Sequence, residues 1–231
     1  MERDSLPAAS GDDIAELSPA RQPWPGPGSE RTAPCAGLLL TGGASRRLGA
    51  DKATAVIGGT RLADRAAQVL AAVCDPVIEV GPGVTSLAAC REDPPGDGPF
   101  AALLAGAAAL GSAAETGVVL LGCDLPGVDR AIVQLLADWP GARTVVPVES
   151  GYLQLVCARY GAEALSVASA LQVAGPASRN GTRARSLHSL LDAVDFDRIT
   201  EPVWRAVSPA ATFADVDTQG DLERWQEARG R

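Results

Sequence analysis

The sequence predicts an α/β fold, with a mainly parallel sheet covered by helices on both faces, and three observations support it. Short, continuous apolar runs lie at 36–40 and 118–121, with a further strand expected over 77–80. A strand apolar at consecutive rather than alternate positions is one buried on both faces. Between these runs, apolar residues fall at helical spacing, so strand and helix alternate as in βαβ units. The composition is globular, 46% hydrophobic and 21% charged over 231 residues, enough for one large domain or two small ones.

Taken in order, residues 1–34 carry six prolines, several glycines and scattered charges with no apolar period. They are expected to form a disordered N-terminal extension, and the folded domain is expected over 35–231. Ala36-Gly-Leu-Leu-Leu40 is the first strand, ended by Thr41-Gly42-Gly43. Leu62, Ala66, Val69, Leu70 and Val73 mark one face of a helix, with Thr60 as its N-cap. Val77 to Val80 is a strand stopped by Gly81-Pro82-Gly83, and Phe100 to Leu110 is a helix after Gly98-Pro99. Val118 to Leu121 is a strand running into Gly122-Cys123-Asp124-Leu125-Pro126, and Val128, Ile132, Leu135 and Leu136 make the next amphipathic helix. Past Arg143 the order is less regular: strands over 143–148 and 153–158, a helix over 163–171, and a C-terminal helix over 218–228. The last opens with Thr218-x-x-Asp221, which resembles a capping box.

A net charge of -8 argues against broad nucleic-acid binding, because no cationic excess exists to neutralise a phosphate backbone. Among the 20 basic residues the single lysine is Lys52. The five cysteines form no CxxC pair and are odd in number, so reduced, buried thiols are expected rather than a zinc site or a disulfide framework. No apolar stretch is long enough for a membrane span, and the N-terminus lacks the basic-then-apolar order of a secretion signal. A cytoplasmic location is the expectation.

The segment Leu40-Thr-Gly-Gly-Ala-Ser-Arg-Arg-Leu-Gly-Ala-Asp-Lys52 carries the chemistry. Adjacent glycines let a backbone turn bring its N–H groups against a ligand. Arg46, Arg47 and Lys52 add three cations within seven residues, at the strand end where open α/β sheets bind ligands. The spacing fits neither a Walker A loop nor GxGxxG. By itself it reads either as a triphosphate cradle or as a surface loop with solvated arginines. Asp124 also follows a buried strand, so it is expected along the same sheet edge. A carboxylate beside phosphate is repulsive by about 4 kcal/mol at ~4 Å and an effective dielectric of ~20. A divalent cation between them reverses the sign, and Mg²⁺ favours one or two carboxylates plus phosphate oxygens. Asp124 is therefore a candidate metal ligand, the alternative being a helix cap after Pro126.

Four motifs in order resemble the molybdenum cofactor guanylyltransferase family and, more broadly, the MobA-like nucleotidyltransferases. Residues 40–52 resemble LAGGxSxRMGxDK; Glu92-Asp93 with Gly98-Pro99 resembles EDxxxxGPL; Cys123-Asp124-Leu125-Pro126 resembles CDxP. Phe213-Ala-Asp-Val-Asp-Thr218 with Asp221-Leu222 resembles FxNxNTPEDL. The resemblance spans residues 36 to 228. It implies a single three-layer, Rossmann-like domain of the nucleotide-diphospho-sugar transferase type. It further implies a GTP site on Leu40, Thr41, Gly42, Lys52, Asp93 and Asp124, with Mg²⁺ on Asp124. The second metal ligand matches Asp217, with Asp215 nearby; both stand where the family usually has asparagine. The chain also departs at Val80-Gly81-Pro82, where an asparagine is common. A second departure is Gly151 to Tyr160, which keeps Gln154 and Tyr160 of GRPQPLxAxY without its prolines.

The implied activity is Mg²⁺-dependent transfer of GMP from GTP to molybdopterin with release of pyrophosphate. An acceptor phosphate oxygen attacks the α-phosphorus in line, so positioning and charge neutralisation suffice without a general base. Gly42, Gly43 and the following backbone are assigned to the β- and γ-phosphates, and Lys52 with Arg46 or Arg47 to the developing charge. Asp93 is assigned to the nucleoside, and Asp124 with Asp217 to the metal. The family also implies exchange of the acceptor with other cofactor-assembly proteins. Arg179, Arg183 and Arg185 read either as an acceptor-phosphate cluster or as a solvated face. His188, the sole histidine, reads as structural. Two other classes fit the sequence, a sibling transferase using CTP or another phosphorylated acceptor and a non-catalytic nucleotide-binding or accessory protein.

Overall fold

β1 (Ala36–Leu40) has all five residues buried, which suits it to the middle of a sheet. In the computed structural model, residues 35–42, 52–174, 185–208 and 211–229 are described. After β1 and a 3-10 turn at Lys52–Thr54 come β2 (Val56–Ile57), β3 (Thr60–Arg61), α1 (Leu62–Ala71), β4 (Val77–Val80), β5 (Ala88–Cys90) and α2 (Pro99–Leu110). β6 (Val118–Gly122), α3 (Arg130–Ala137), β7 (Thr144–Glu149), β8 (Tyr152–Leu153), β9 (Cys157–Tyr160) and α4 (Ala162–Ala174) follow. The chain then forms α5 (Leu187–Leu191), β10 (Phe196–Ile199), α6 (Glu201–Arg205) and α7 (Gln219–Arg229).

The sheet runs β10-β7-β9-β6-β1-β4-β5, with β8 added on β7. β1 pairs in parallel with β4 and β6, β4 with β5, and β7 with β10. β9 is antiparallel to both β6 and β7 and joins the two parallel halves. One face buries Leu39, Val119 and Leu121 against Leu70 of α1, Ile132 and Leu136 of α3, and Trp204 of α6. The other buries Leu38, Val118 and Leu120 against Leu103 of α2, Leu165 of α4 and Leu190 of α5. The fold is a single α/β Rossmann-like domain of three layers. Among the described residues no helix is long and apolar enough to cross a membrane.

The structure corrects several local expectations. Thr60 pairs with Ile57 in the β2–β3 hairpin, so Arg61 takes the N-cap position of α1 without a side-chain cap. Val128 lies outside α3, which begins after Asp129, whose Oδ1 accepts from the Ile132 N–H at 3.1 Å. The strand expected over 153–158 is two strands. The Gln154 N–H donates to Pro147 O and the Cys157 N–H to Gln154 O, closing a turn between β8 and β9. By contrast, Pro99 at the start of α2 follows a Gly98 with φ 92°, the conformation glycine adopts without steric cost.

Arg159, 5% exposed, holds the loop after α3. Its guanidinium donates to the carbonyls of Ala137, Trp139, Gly141 and Arg143. Burial pulls its pKa down, against the opposing charges of Asp197 and Asp138. The five cysteines are free thiols.

Candidate functional site

The C-terminal ends of β1 and β6 bring the candidate residues together. The Cys123 N–H donates to Leu40 O at 3.0 Å, continuing the strand pairing up to the residue before Asp124. Gly122 leaves room for the Asp124 side chain, since a Cβ there would lie 2.8 Å from Asp124 Oδ1. The Asp124 carbonyl accepts from the Val216 N–H at 2.9 Å, so the chain carrying Asp217 is fastened beside a residue 93 positions away. Asp221 then orients that chain. Its Oδ2 accepts from the N–H groups of Asp217 and Thr218, and Thr218 Oγ1 accepts in return from the Asp221 N–H at 3.2 Å. This is the reciprocal pairing of a capping box, at the start of α7.

Lys52 arrives from the third direction. Its 3-10 turn precedes the β2–β3 hairpin, whose Ile57 packs with Leu62 and Val216, with Leu222 and Trp225 of α7 against them. This small apolar cluster draws the hairpin and C-terminal segment together. Lys52 Nζ lies 3.2 Å from Asp124 Oδ2 and also donates to Asp217 Oδ1. Burial lowers the Lys52 pKa, but the hydrogen bond to Asp217 and the charges of Asp124 and Asp217 outweigh it, so the net shift is upward. Asp215 shifts upward as well, first by burial and then by the charges of Asp217 and Asp124, which Lys52 only partly offsets. Two carboxylates grip one ammonium here, and a third lies within reach of their charge.

A cleft of ≈ 310 Å³ opens at the ends of β1 and β4, lined by Thr41, Gly42, Gly81, Pro82, Arg91, Glu92, Pro95 and Gly96. Its two sides are in close contact. The Thr41 N–H donates to Val80 O, and the Gly81 N–H to Cys90 O. A Cβ on Gly81 would lie 2.1 Å from Thr41 Oγ1, so only glycine allows that approach. Leu40 and Thr41 are buried and Gly42 is exposed at the edge. Asp93 is exposed and does not line the cleft, whereas its neighbour Glu92 does. Gly43, Arg46, Arg47, Arg179 and Arg183 lie outside the described residues. Arg185 donates to Gln172 O at the end of α4, and His188 is exposed on α5. A larger groove of ≈ 440 Å³ runs between α1 and residues 85–87, and none of the predicted site residues lines it.

One residue beside the cleft escaped sequence reasoning. Glu79 is 0% exposed within β4. Oε1 accepts from Thr41 Oγ1 at 2.6 Å and from the N–H groups of Gly83 and Val84. Oε2 accepts from the N–H and Oγ1 of Thr85. Burial alone would push this carboxyl up, but the hydroxyls of Thr41 and Thr85 and the loop N–H groups hold it at about 2. The available signal was a lone carboxylate inside the apolar run Val77-Ile-Glu-Val80.

The family model of the MobA-like NTP transferase domain matches residues 37–195. A probable molybdenum cofactor guanylyltransferase of Mycobacterium avium is 29% identical over 204 residues, covering 84% of this chain and 96% of the relative. Its counterpart from Mycobacterium marinum is 28% identical over 197 residues, 81% of this chain and 90% of the relative. Among solved structures, molybdopterin-guanine dinucleotide biosynthesis protein A from Archaeoglobus fulgidus superposes with a TM-score of 0.66 at 18% identity, covering 84% of this chain and 98% of that one. The 2-C-methyl-D-erythritol 4-phosphate cytidylyltransferase of Thermus thermophilus gives 0.61 at 14% identity, over 86% and 100%. At such identities the structures speak for the fold.

Proposed function

This chain belongs to the MobA-like NTP transferase family, and from that premise we propose that it transfers GMP from GTP to molybdopterin and releases pyrophosphate. That it is a nucleotidyltransferase comes with the family; the base and the acceptor are the proposal. The observation that carries it is the convergence of Lys52, Asp124 and Asp217 at the sheet edge. The cleft bounded by Thr41, Gly42 and Gly81 opens on the same edge and is assigned to the nucleoside.

The donor set suits Mg²⁺. Asp124 and Asp217 already grip one cation, the Lys52 ammonium, and Asp215 adds negative charge that the lysine does not fully balance. Among the described residues no group of three or more His, Cys, Asp or Glu is placed to hold a metal by itself. Mg²⁺ characteristically takes one or two carboxylates and completes its shell with water and phosphate oxygens, so Asp124 and Asp217 would hold it. When bound, the ion would neutralise charge on the triphosphate and the leaving pyrophosphate.

The remaining work falls to the chain's own groups. The backbone from Gly42 onward would present N–H groups to the phosphates, since the Thr41 N–H is committed to Val80 O, and Gly42 allows their close approach. Lys52 would turn from the carboxylates to the α-phosphate and stabilise its developing charge. Arg46 and Arg47 are assigned to the same triphosphate. The acceptor phosphate is ionised near neutrality, so the site needs alignment more than a base.

The test is pyrophosphate release with molybdopterin and GTP, CTP or ATP in parallel, with Asp124→Asn as control. Turnover with GTP, lost in Asp124→Asn, supports the reading. Preferential turnover with CTP would reassign the base, and the absence of turnover with all three would overturn the proposal.

A further inference from the structure

Glu79 is a buried charge that nucleotidyl transfer does not call on. It lies on β4, the strand paired with β1 along the edge that carries the cleft, with Leu39 opposite Glu79 in register. Its five hydrogen bonds come from two directions. One comes from the Thr41 hydroxyl, on the first wall of the cleft. The other four come from Gly83, Val84 and Thr85, in the loop that begins with Gly81 and Pro82 on the opposing wall. The Thr85 hydroxyl in turn accepts from the Leu87 N–H at 3.2 Å, extending the anchored loop. No ion pair holds Glu79 among the described residues; the Arg61 guanidinium acts on it only through its charge, and its direct contacts are oriented donors.

From this we infer that Glu79 is a positioning residue for nucleoside recognition, fixing the separation of the Thr41–Gly42 and Gly81–Pro82 walls so that a base fits between them. The inference rests on the reading of that cleft as the nucleoside subsite. The physical case is one of number and placement. A carboxylate spreads a full charge and about four lone-pair sites over two oxygens, so five donors converge on it with one site shared, and hydrogen bonds to a charged acceptor are the stronger kind. No neutral side chain of that length can do the same. A glutamine keeps one acceptor oxygen and turns an NH₂ toward donors, leaving either the Thr41–Gly83–Val84 set or the Thr85 pair unmet. The loop would then relax away from Thr41, and the cleft would lose its width. The triphosphate contacts, assigned to Lys52 and the backbone from Gly42 onward, would be left largely in place, because β1 keeps its pairing with β4 and β6 while the Gly81 loop relaxes.

The split between nucleoside and phosphate makes the inference testable. Dissociation constants for GTP and for inorganic tripolyphosphate would be measured by calorimetry on the wild-type chain, Glu79→Gln and Thr85→Val, with folding followed by circular dichroism. The expected result for Glu79→Gln is GTP binding weakened about tenfold or more, from the loss of two or three charge-assisted hydrogen bonds, with tripolyphosphate binding within about twofold. Thr85→Val removes one hydroxyl donor and should weaken GTP about two- to fivefold with the same selectivity. Equal loss for both ligands, or no loss for either, overturns the positioning role. If Glu79→Gln does not fold, Thr85→Val decides by the same criterion. A wild-type chain that binds neither ligand would instead sink the nucleotide reading itself.

Discussion

Replacing Lys52 with methionine separates two roles of one side chain, because the structure shows its ammonium occupying the carboxylates. Lys52 Nζ stands 3.2 Å from Asp124 Oδ2 and hydrogen-bonds Asp217. At an effective dielectric of about 20, unit charges at that separation attract by about 5 kcal/mol. The Lys52, Asp124 and Asp217 side chains are 22%, 28% and 45% exposed, and hydration and side-chain ordering remove most of the attraction in such pairs. About 1–2 kcal/mol for the two contacts together is the realistic scale. A divalent cation entering between Asp124 and Asp217 must displace the ammonium against that free energy. Lys52→Met should therefore bind Mn²⁺ about five- to thirtyfold more tightly in the absence of nucleotide, while nucleotidyl transfer falls by about a thousandfold through loss of charge stabilisation. Electron paramagnetic resonance titration of free Mn²⁺ reads the first effect and pyrophosphate release the second. Unchanged or weaker Mn²⁺ binding would refute the competition between ammonium and metal, and near-wild-type turnover would remove Lys52 from the chemistry.

Three further outcomes are expected. The Glu79 carboxyl is held at about 2 against an ordinary 4.5, so its depressed pKa stabilises the fold by on the order of 3 kcal/mol at neutral pH. That contribution is complete above about pH 4.5 and is lost as pH falls toward 2; urea unfolding across this window should slope in the wild type and flatten in Glu79→Gln. Gly81→Ala should weaken nucleotide binding about tenfold or more, because the new methyl would sit 2.1 Å from Thr41 Oγ1 and push the cleft walls apart; calorimetric titration with GTP checks it. Arg159→Met should destabilise the domain by about 3–5 kcal/mol by stranding the carbonyls of Ala137, Trp139, Gly141 and Arg143. Thermal unfolding would show a drop of roughly 10 °C, and a change under a few degrees would mean that water replaces the guanidinium.

The strands that carry the site were legible because their signal is local. Ala36 to Leu40 and Val118 to Leu121 are apolar at every position, and that pattern requires cover on both faces. Lys52 and Asp124 stood out by residue type and by their place after those strands, and the capping box at Thr218 and Asp221 was written in their spacing. The motif order likewise marks the family by sequence alone. What the sequence could not determine was whatever depends on partners far apart in the chain. β9 is inserted antiparallel between parallel strands, a choice of neighbour that no periodicity encodes. The place of Asp217 beside Asp124 depends on one backbone hydrogen bond from Val216 and on an apolar cluster shared by the hairpin and α7. Glu79 looks like a misfit in an apolar strand until tertiary folding surrounds it with five donors. Pattern reports which faces must leave water; only the closed fold decides which polar groups meet once they do, because the stability of a buried charge depends on the donors that other segments bring to it.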